Sequence, residues 1–456
     1  MGQFSIKLSP AGGPGAGEAR ISLHGSRFHR AVVRRAVPIH TQDVPGLQLE
    51  GHGLQGLEGR LPVADRIGVG CGVPALDQTH SIADLRVLAR RRLPRPIFDY
   101  LDGGADEEWS LSRNGDAFKD YEIVPDVLTD VSSIQTATTI LGQPAAWPLM
   151  LSATGLTRMF HGSAEPAVAR AAAAQGIPYC LSTMGTTRLE DLADAIPVPM
   201  LFQVYVFKDR GLTREFVSRC REAGYAGLCL TVDTPVAGNR LRDRRSGLSL
   251  PPRLTARSLL DFALHPGWSI PALTGARFDL ANVSHRTDAL ATNPMSLFDF
   301  IGRQFDPSLN WRDVEWLASE WNGPLAIKGL MTPEDATCAI RSGASGVIIS
   351  NHGGRQLDGA PAPIDQVAAV RDALGDGPDV ICDGGVRRGS DIVKALALGA
   401  TACSIGRPYL YGLAAGGEAG VARALTFLRE EFERTLALAG VPSIRGLAGR
   451  HIRHRP

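Results

Sequence analysis

The chain reads as a closed (β/α)8 barrel, an α/β fold, with a long insertion after its fourth strand and an N-terminal extension lacking any folding pattern. Three observations carry that reading. Beyond Pro148, short apolar runs alternate with amphipathic stretches through eight units, the order that parallel strands and covering helices require. No Gly-x-Gly-x-x-Gly follows the first strand, where an open doubly wound sheet would more often carry one. Every strand run also ends in polar or glycine-rich sequence, and in a barrel those ends form a single rim.

The strand runs cover 148–152, 178–182, 199–206, 226–232, 324–328, 345–350, 379–383 and 401–405. They are short, apolar and bounded by turn residues, as buried parallel strands are. Helical spacing covers 163–175, 187–195, 212–223, 333–342, 364–374, 389–398 and 417–438, with another helix starting at Trp311. Upstream, Ser81 with Asp84 three residues on predicts a helix start, and Leu85, Leu88 and Ala89 continue its apolar face. Pro94 and Pro96 then punctuate the chain before Ile97–Leu101 and Gly103-Gly104.

Two segments stand apart. Residues 1–80 are rich in Gly, Arg and Pro, and Arg20, Arg27, Arg30, Arg34 and Arg35 face only Glu18 as an acid before Asp43. Too little apolar surface is there to offset ordering entropy, so this extension is expected to be disordered. It reads as a flexible tail, an Arg-rich transit peptide or residues translated from too early a start, the last two preferred; a secretory h-region is missing. The folded domain is expected over 81–456. Its insertion, about 243–300, is longer than most loops. It is either a surface excursion or a segment docking on a membrane or partner through Leu259, Phe262, Leu264 and Trp268.

Composition narrows the function classes. A formal charge of +1 gives no electrostatic reason to expect a nucleic-acid partner. No apolar run approaches the length of a membrane span. The seven cysteines are scattered, with no Cys-x-x-Cys. They are expected as buried free thiols in a reducing compartment, the cytoplasm or the inner face of the cell membrane, with no metal site.

The rim carries the chemistry. The strand ends supply, in order, Ser152-Ala153-Thr154-Gly155; Ser182-Thr183; Gln203-Val204-Tyr205; Thr231-Val232-Asp233; Lys328-Gly329; Ser350-Asn351-His352-Gly353-Gly354-Arg355; Asp383-Gly384-Gly385-Val386-Arg387; and Gly406-Arg407. His352 suits a general base, and Asp233 an orienting carboxylate that raises its basicity. Arg355 offers a two-pronged clamp for a carboxylate, joined by Arg240 and Tyr100. Tyr205 can bond a substrate hydroxyl or developing carbonyl. The turns at Gly385 with Arg387 and Gly406 with Arg407 form a phosphate cradle. Gln203, Thr231, Ser182 and the backbone of Ala153, Thr154 and Gly155 can meet the edge of a planar heterocycle. Lys328 places a positive charge where an anionic reduced flavin needs one; Ser350 and Asp383 are further cofactor-binding candidates at their strand ends. A single phosphate cradle predicts FMN and not FAD.

The string Ser350–Asp358, together with Tyr100, Gln203-x-Tyr205, Thr231-x-Asp233, Arg240, Lys328-Gly329, Asp383-Gly384-Gly385-x-Arg387 and Gly406-Arg407, resembles the FMN-dependent L-2-hydroxy acid oxidase and dehydrogenase family. The resemblance covers roughly 81–456. It implies oxidation of an L-2-hydroxy acid, L-lactate foremost, to the 2-oxo acid, by a homo-oligomer, a tetramer by family resemblance. Gly155 stands where the short-chain oxidases tend to carry Ala, and is more like the lactate and mandelate dehydrogenases, which imply a quinone or other carrier as acceptor. Position 184 is Met, where the glycolate oxidases carry Trp. The insertion, with His265-Pro266-Gly267-Trp268-Ser269, is similar to the membrane-associated branch. Three alternatives remain: an oxygen-using oxidase releasing hydrogen peroxide, an FMN-dependent isomerase or other phosphate-binding barrel, and a non-catalytic scaffold. These residues do not choose between hydride loss and a carbanion.

Overall fold

The computed structural model describes residues 5–10, 19–24, 76–196, 198, 200–248, 255–275, 278–284 and 303–455. The chain divides into two compact units, Met1–Gly70 and Cys71–Pro456. In the first, Ser5–Pro10 pairs antiparallel with Ala19–His24; the rest of that unit lies outside the described residues.

The second unit is built on a closed barrel of eight parallel strands. They are β1 (Leu149–Leu151), β2 (Tyr179–Ser182), β3 (Met200–Val204), β4 (Gly227–Thr231), β5 (Leu325–Leu330), β6 (Gly346–Ser350), β7 (Asp379–Asp383) and β8 (Ala402–Ile405), with β8 pairing back to β1. The helices that follow them are α1 (Ala164–Ala174), α2 (Leu189–Ala195), α3 (Arg210–Glu222), α4 (Trp311–Trp321), α5 (Pro333–Arg341), α6 (Val367–Leu374), α7 (Gly389–Ala397) and α8 (Arg407–Leu438). All eight strand runs and the (β/α)8 order expected from sequence are present.

Strand periodicity explains the core. One residue from each strand fills the barrel interior: Met150, Cys180, Leu201, Cys229, Ala326, Ile348, Ile381 and Ala402. Their chain neighbours, such as Val347 and Ile349 or Val380 and Cys382, belong to the larger core beneath the helices. An antiparallel hairpin, Thr138–Ile140 with Gln143–Ala145, adds Ile140, Leu141 and Ala145 to the interior cluster and closes one end of it. Asp379 holds that hairpin by accepting a hydrogen bond from the Leu141 N–H at 2.5 Å. Cys180, Cys220, Cys229, Cys382 and Cys403 are buried free thiols, as expected, whereas Cys338 is free but only half-buried; Cys71 lies outside the described residues.

Ser81 caps the helix Ile82–Arg92, accepting from the Asp84 N–H at 3.2 Å. Packing nevertheless starts a turn earlier than the boundary expected at Ser81. Leu76 lies on the core beside Gly416, and the Thr79 carbonyl accepts from Arg423 at 2.8 Å. The last helix is also longer than the expected 417–438. α8 begins at Arg407 and breaks at Gly416-Gly417, where the backbone is non-helical. That glycine pair had hidden its first half.

The insertion carries the helices Leu241–Ser246, Ala256–Ala263 and Pro266–Thr274; residues 285–302 lie outside the described residues. Its side chains are sorted differently from expectation. Phe262 and Trp268 do not face outward. Their rings pack together at 5.4 Å, both lie on the core, and the Trp268 indole N–H donates to the Met159 carbonyl at 2.9 Å. An indole must place its N–H while its rings stay dry, and the barrel offers both. Leu259 and Leu264 are exposed as expected, joined by Leu260, Ile270 and Leu273.

Because the described core residues of the second unit begin at Leu76, deletion of residues 1–75 is expected to leave thermal melting and flavin content at parent values. A lower melting temperature or loss of flavin in the truncated protein would refute this.

Candidate active site

One step along each strand from the apolar interior layer, two residues on, the inward positions become Ser152, Ser182, Gln203, Thr231, Lys328, Ser350, Asp383 and Ser404, all buried. This ring is the floor of the site. Lys328 Nζ lies 2.8 Å from an Asp383 carboxylate oxygen and donates to Ser350 Oγ at 2.7 Å, while Ser350 donates to Asp383 at 2.7 Å. Burial opposes both charges. Asp383 and Asp233 nevertheless hold the Lys328 ammonium above its ordinary pKa, and Lys328 holds Asp383 below its own.

The loop beyond β6 hangs on the same serine. Ser350 Oγ accepts from the His352 N–H at 3.1 Å, which helps to hold His352 at a left-handed φ of 58°. A non-glycine residue there is strained, and strain of this kind concentrates at functional sites. His352 Nδ1 lies 2.9 Å from Asp233 Oδ1. Burial opposes ionisation of Asp233, but His352 and Lys328 hold its pKa below the ordinary value. An ionised partner makes Nδ1 the donor and leaves Nε2 its lone pair. Asp233 can come this close because position 329 is glycine. A Cβ there, at φ 110°, would sit 2.7 Å from the Asp233 Cβ.

A group of cations shares the rim. Arg355 lies 4.9 Å from the centre of the Tyr100 ring and Arg240 5.3 Å from it. Arg355 Nη1 also donates to the carbonyls of Tyr100 and Gly103, at 2.7 and 2.9 Å. Arg407 donates to Leu101, Gly353 and Gly103 carbonyls at 3.2, 2.8 and 2.7 Å. Arg407 therefore braces the His352 loop, a task the motif did not reveal. Burial, then Arg355, push its pKa down to about 9. Arg355 is likewise lowered by burial and by Arg240. Tyr205, on β3's extension, packs edge-on against Phe305 at 4.9 Å, and burial raises its phenol pKa.

The remaining expected residues lie around this floor. Gln203 accepts from Ser182 at 2.9 Å, and its buried Nε2 has no partner among the described residues. Thr154 shares a 2.7 Å hydrogen bond with Tyr409, whose hydroxyl donates to the Ser152 carbonyl at 2.8 Å. Ala153 is half-buried against the interior cluster, and a Cβ at Gly155 would sit 2.8 Å from the Met184 Cβ. Arg387 follows the Gly385 turn with Nη1 on the Val386 carbonyl at 2.8 Å, and Gly406 opens α8.

Three polar side chains escaped the sequence reading. Asn351 and Asn114 exchange paired amide hydrogen bonds at 2.8 and 2.7 Å, and Gly354 N–H donates to Asn351 at 3.0 Å. Asp358 accepts from the N–H groups of Glu107, Trp109 and Ser110 at 3.1, 3.3 and 2.8 Å, at the start of the helix Trp109–Asp116. Asn351 and Asp358 were legible only as members of the signature string. Asn114 gave no signal, because its partner is distant in sequence.

A family model described as FMN-dependent dehydrogenase matches residues 89–454, and the chain belongs to that family. FMN is its cofactor. Among curated relatives, an L-lactate dehydrogenase of Caulobacter vibrioides is 44% identical over 365 residues, 80% of this chain and 95% of that protein. An L-lactate dehydrogenase of Xanthomonas campestris pv. campestris is 42% identical over 371 residues, 80% of this chain and 95% of that protein. The solved monotopic membrane protein (S)-mandelate dehydrogenase superposes with a TM-score of 0.80 at 39% identity, covering 83% of this chain and all of that one. A mandelate oxidase solved with (S)-4-hydroxymandelic acid gives 0.71 at 35% identity, covering 82% of this chain and 98% of that one.

The donor set fits FMN. Among the described residues Gln203 Nε2 is a buried donor without a protein partner, and Lys328 is a fixed buried cation on the same floor of the site.

Removing one member of a buried ion pair is expected to cost about 3–5 kcal/mol. Lys328→Met should therefore lower thermal stability, and Lys328→Met/Asp383→Asn should recover part of it. In the single variant the unpaired Asp383 is left to burial, which raises its pKa above the unfolded value. Such an acid binds a proton more tightly when folded, so stability should rise as pH falls from 7 towards that value. The parent, whose Asp383 is depressed, should gain nothing from this group. Melting temperatures across pH 5–8 check both signs.

Proposed function

We propose that this chain oxidises an L-2-hydroxy acid, L-lactate first, to the 2-oxo acid, and passes the electrons to a quinone or another carrier. The observation that carries the reading is the His352–Asp233 pair standing on the same rim as Arg355, Arg240 and Tyr100. Arg355 and Arg240 bind the substrate carboxylate, with Tyr100 between its two cationic neighbours in the grip. Tyr205 orients the hydroxyl. His352 Nε2 takes the proton that the substrate gives up, and Asp233 stabilises the resulting imidazolium.

FMN, when bound, supplies the acceptor for the two electrons. The residues that would hold it are Ala153, Thr154, Gly155, Ser182, Gln203, Thr231, Lys328 and Ser350, with Asp383 keeping Lys328 charged. Gly385, Arg387, Gly406 and Arg407 would take its phosphate. Lys328 favours negative charge beside it, which lowers the barrier to reduction. The two curated relatives named L-lactate dehydrogenase support lactate as the first substrate to try.

His352→Gln is expected to keep its flavin and lose about 10²–10⁴-fold in kcat, the usual contribution of a general base. Anaerobic flavin reduction by L-lactate, followed by absorbance, checks it; reduction at the parent rate would sink the assignment.

For the acceptor we take the dehydrogenase reading, with the insertion lying peripherally on a bilayer. Gly155 and the exposed Leu259, Leu260, Leu264, Ile270 and Leu273 support it. No described helix is long and apolar enough to cross a membrane. By family resemblance the chain works as a homo-oligomer. The oxidase alternative draws on the likeness to mandelate oxidase. Reoxidation of the reduced flavin is expected to be faster with a soluble quinone than in air-saturated buffer; equal rates would make the enzyme an oxidase.

A further inference from the structure

The segment carrying Tyr100 and the segment carrying Arg240 meet twice. In the site, Arg240 lies on the Tyr100 ring. Behind it, the helix Arg95–Asp102 presents Asp102, and the helix Leu241–Ser246, for which Arg240 is the N-cap, presents Arg242. Arg242 Nη1 donates to Asp102 at 2.9 Å, and its Nη2 donates to Glu108. Asp102 is itself fixed. Arg86 grips it with Nε and Nη2 at 2.5 and 2.7 Å, and the Tyr411 hydroxyl donates to it at 2.8 Å. Glu108 accepts from the Gly104 N–H at 2.9 Å. The carbonyls of Tyr100, Leu101 and Gly103, on either side of Asp102, are those that hold Arg355 and Arg407.

We infer that Arg242, bridging Asp102 and Glu108, is the positioning residue that keeps Arg240 in register with Tyr100 for carboxylate binding. This rests on the carboxylate grip proposed above. Arg240 needs such support because it shares the Tyr100 ring with Arg355, and like charges that close repel. Among the described residues of its own segment, the 3.6 Å contact with Asp243 is the one ion pair that counters this. Burial opposes the Asp102 charge, but Arg86, Tyr411 and Arg242 overcome it and hold the carboxyl near a pKa of about 2, so the anchor stays ionised at any working pH. A guanidinium is required, because one planar fork reaches two carboxylates where an ammonium is a single point charge.

The test uses the full chain with FMN bound and oxalate as a carboxylate probe that is not turned over. In Arg242→Met the oxalate Kd and the KM for L-lactate should rise about tenfold while kcat falls less than about threefold, with flavin content kept. Arg242→Lys should restore part of the loss. Arg240→Met/Arg242→Met should bind oxalate no more weakly than Arg240→Met alone, because the second change acts only through the first. An unchanged oxalate Kd, even with a lowered melting temperature, overturns the inference, and so do additive losses in the double variant. Should Arg242→Met fail to fold, Glu108→Gln releases one end of the bridge; it should weaken oxalate in the same direction, and no change overturns the inference. A parent that binds oxalate but is not reduced by L-lactate defeats the substrate reading alone, and one that binds no oxalate defeats both.

Discussion

The structure depends on a change of chemistry across one pleat of a closed barrel. Eight strands fill their centre with apolar side chains and, two residues later, must put something else on the same inward axis. What they put there is a ring of hydroxyls, an amide, a carboxylate and an ammonium, all of them buried. Such a ring is tolerable only if its charges are paired and hydrogen-bonded. Lys328, Ser350 and Asp383 meet that demand from three successive strands.

From that floor the reactive geometry follows. Ser350 serves the buried pair with its hydroxyl and the strained His352 backbone with the same atom. The orientation of the imidazole is thereby tied to the charge state beneath it. Around the base the chain gathers arginines faster than acids, and it fastens them largely through backbone carbonyls. Carbonyls orient a guanidinium without neutralising it, so the rim retains a net attraction for anions.

Much of this was legible in the sequence because it is periodic or local. The eight strands declared themselves as apolar runs, and their polar ends named every member of the floor but Ser404. The His352 loop was legible as a contiguous string. What escaped depends on distance in the chain. Asn114 reveals its purpose only when Asn351 is brought to it. Arg242 carried no signal of its own in the sequence, and only the fold sets it between Asp102 and Glu108. Phe262 and Trp268 read as surface anchors because composition gives no direction, and direction was decided by an indole seeking the Met159 carbonyl. The first half of α8 was lost to the Gly416-Gly417 break, a local signal that was real but not terminal.

Gly155 and Met184 touch across the mouth of the barrel so closely that one added methyl on the first would meet the Cβ of the second at 2.8 Å. The obstructing atom is a Cβ, fixed by the backbone and common to every residue but glycine. Trimming the methionine side chain would therefore not make room; the loops after β1 and β2 would have to part. The two positions are consequently not independent letters. With any side chain at 184, displacement of the loops must come before or with a methyl at 155.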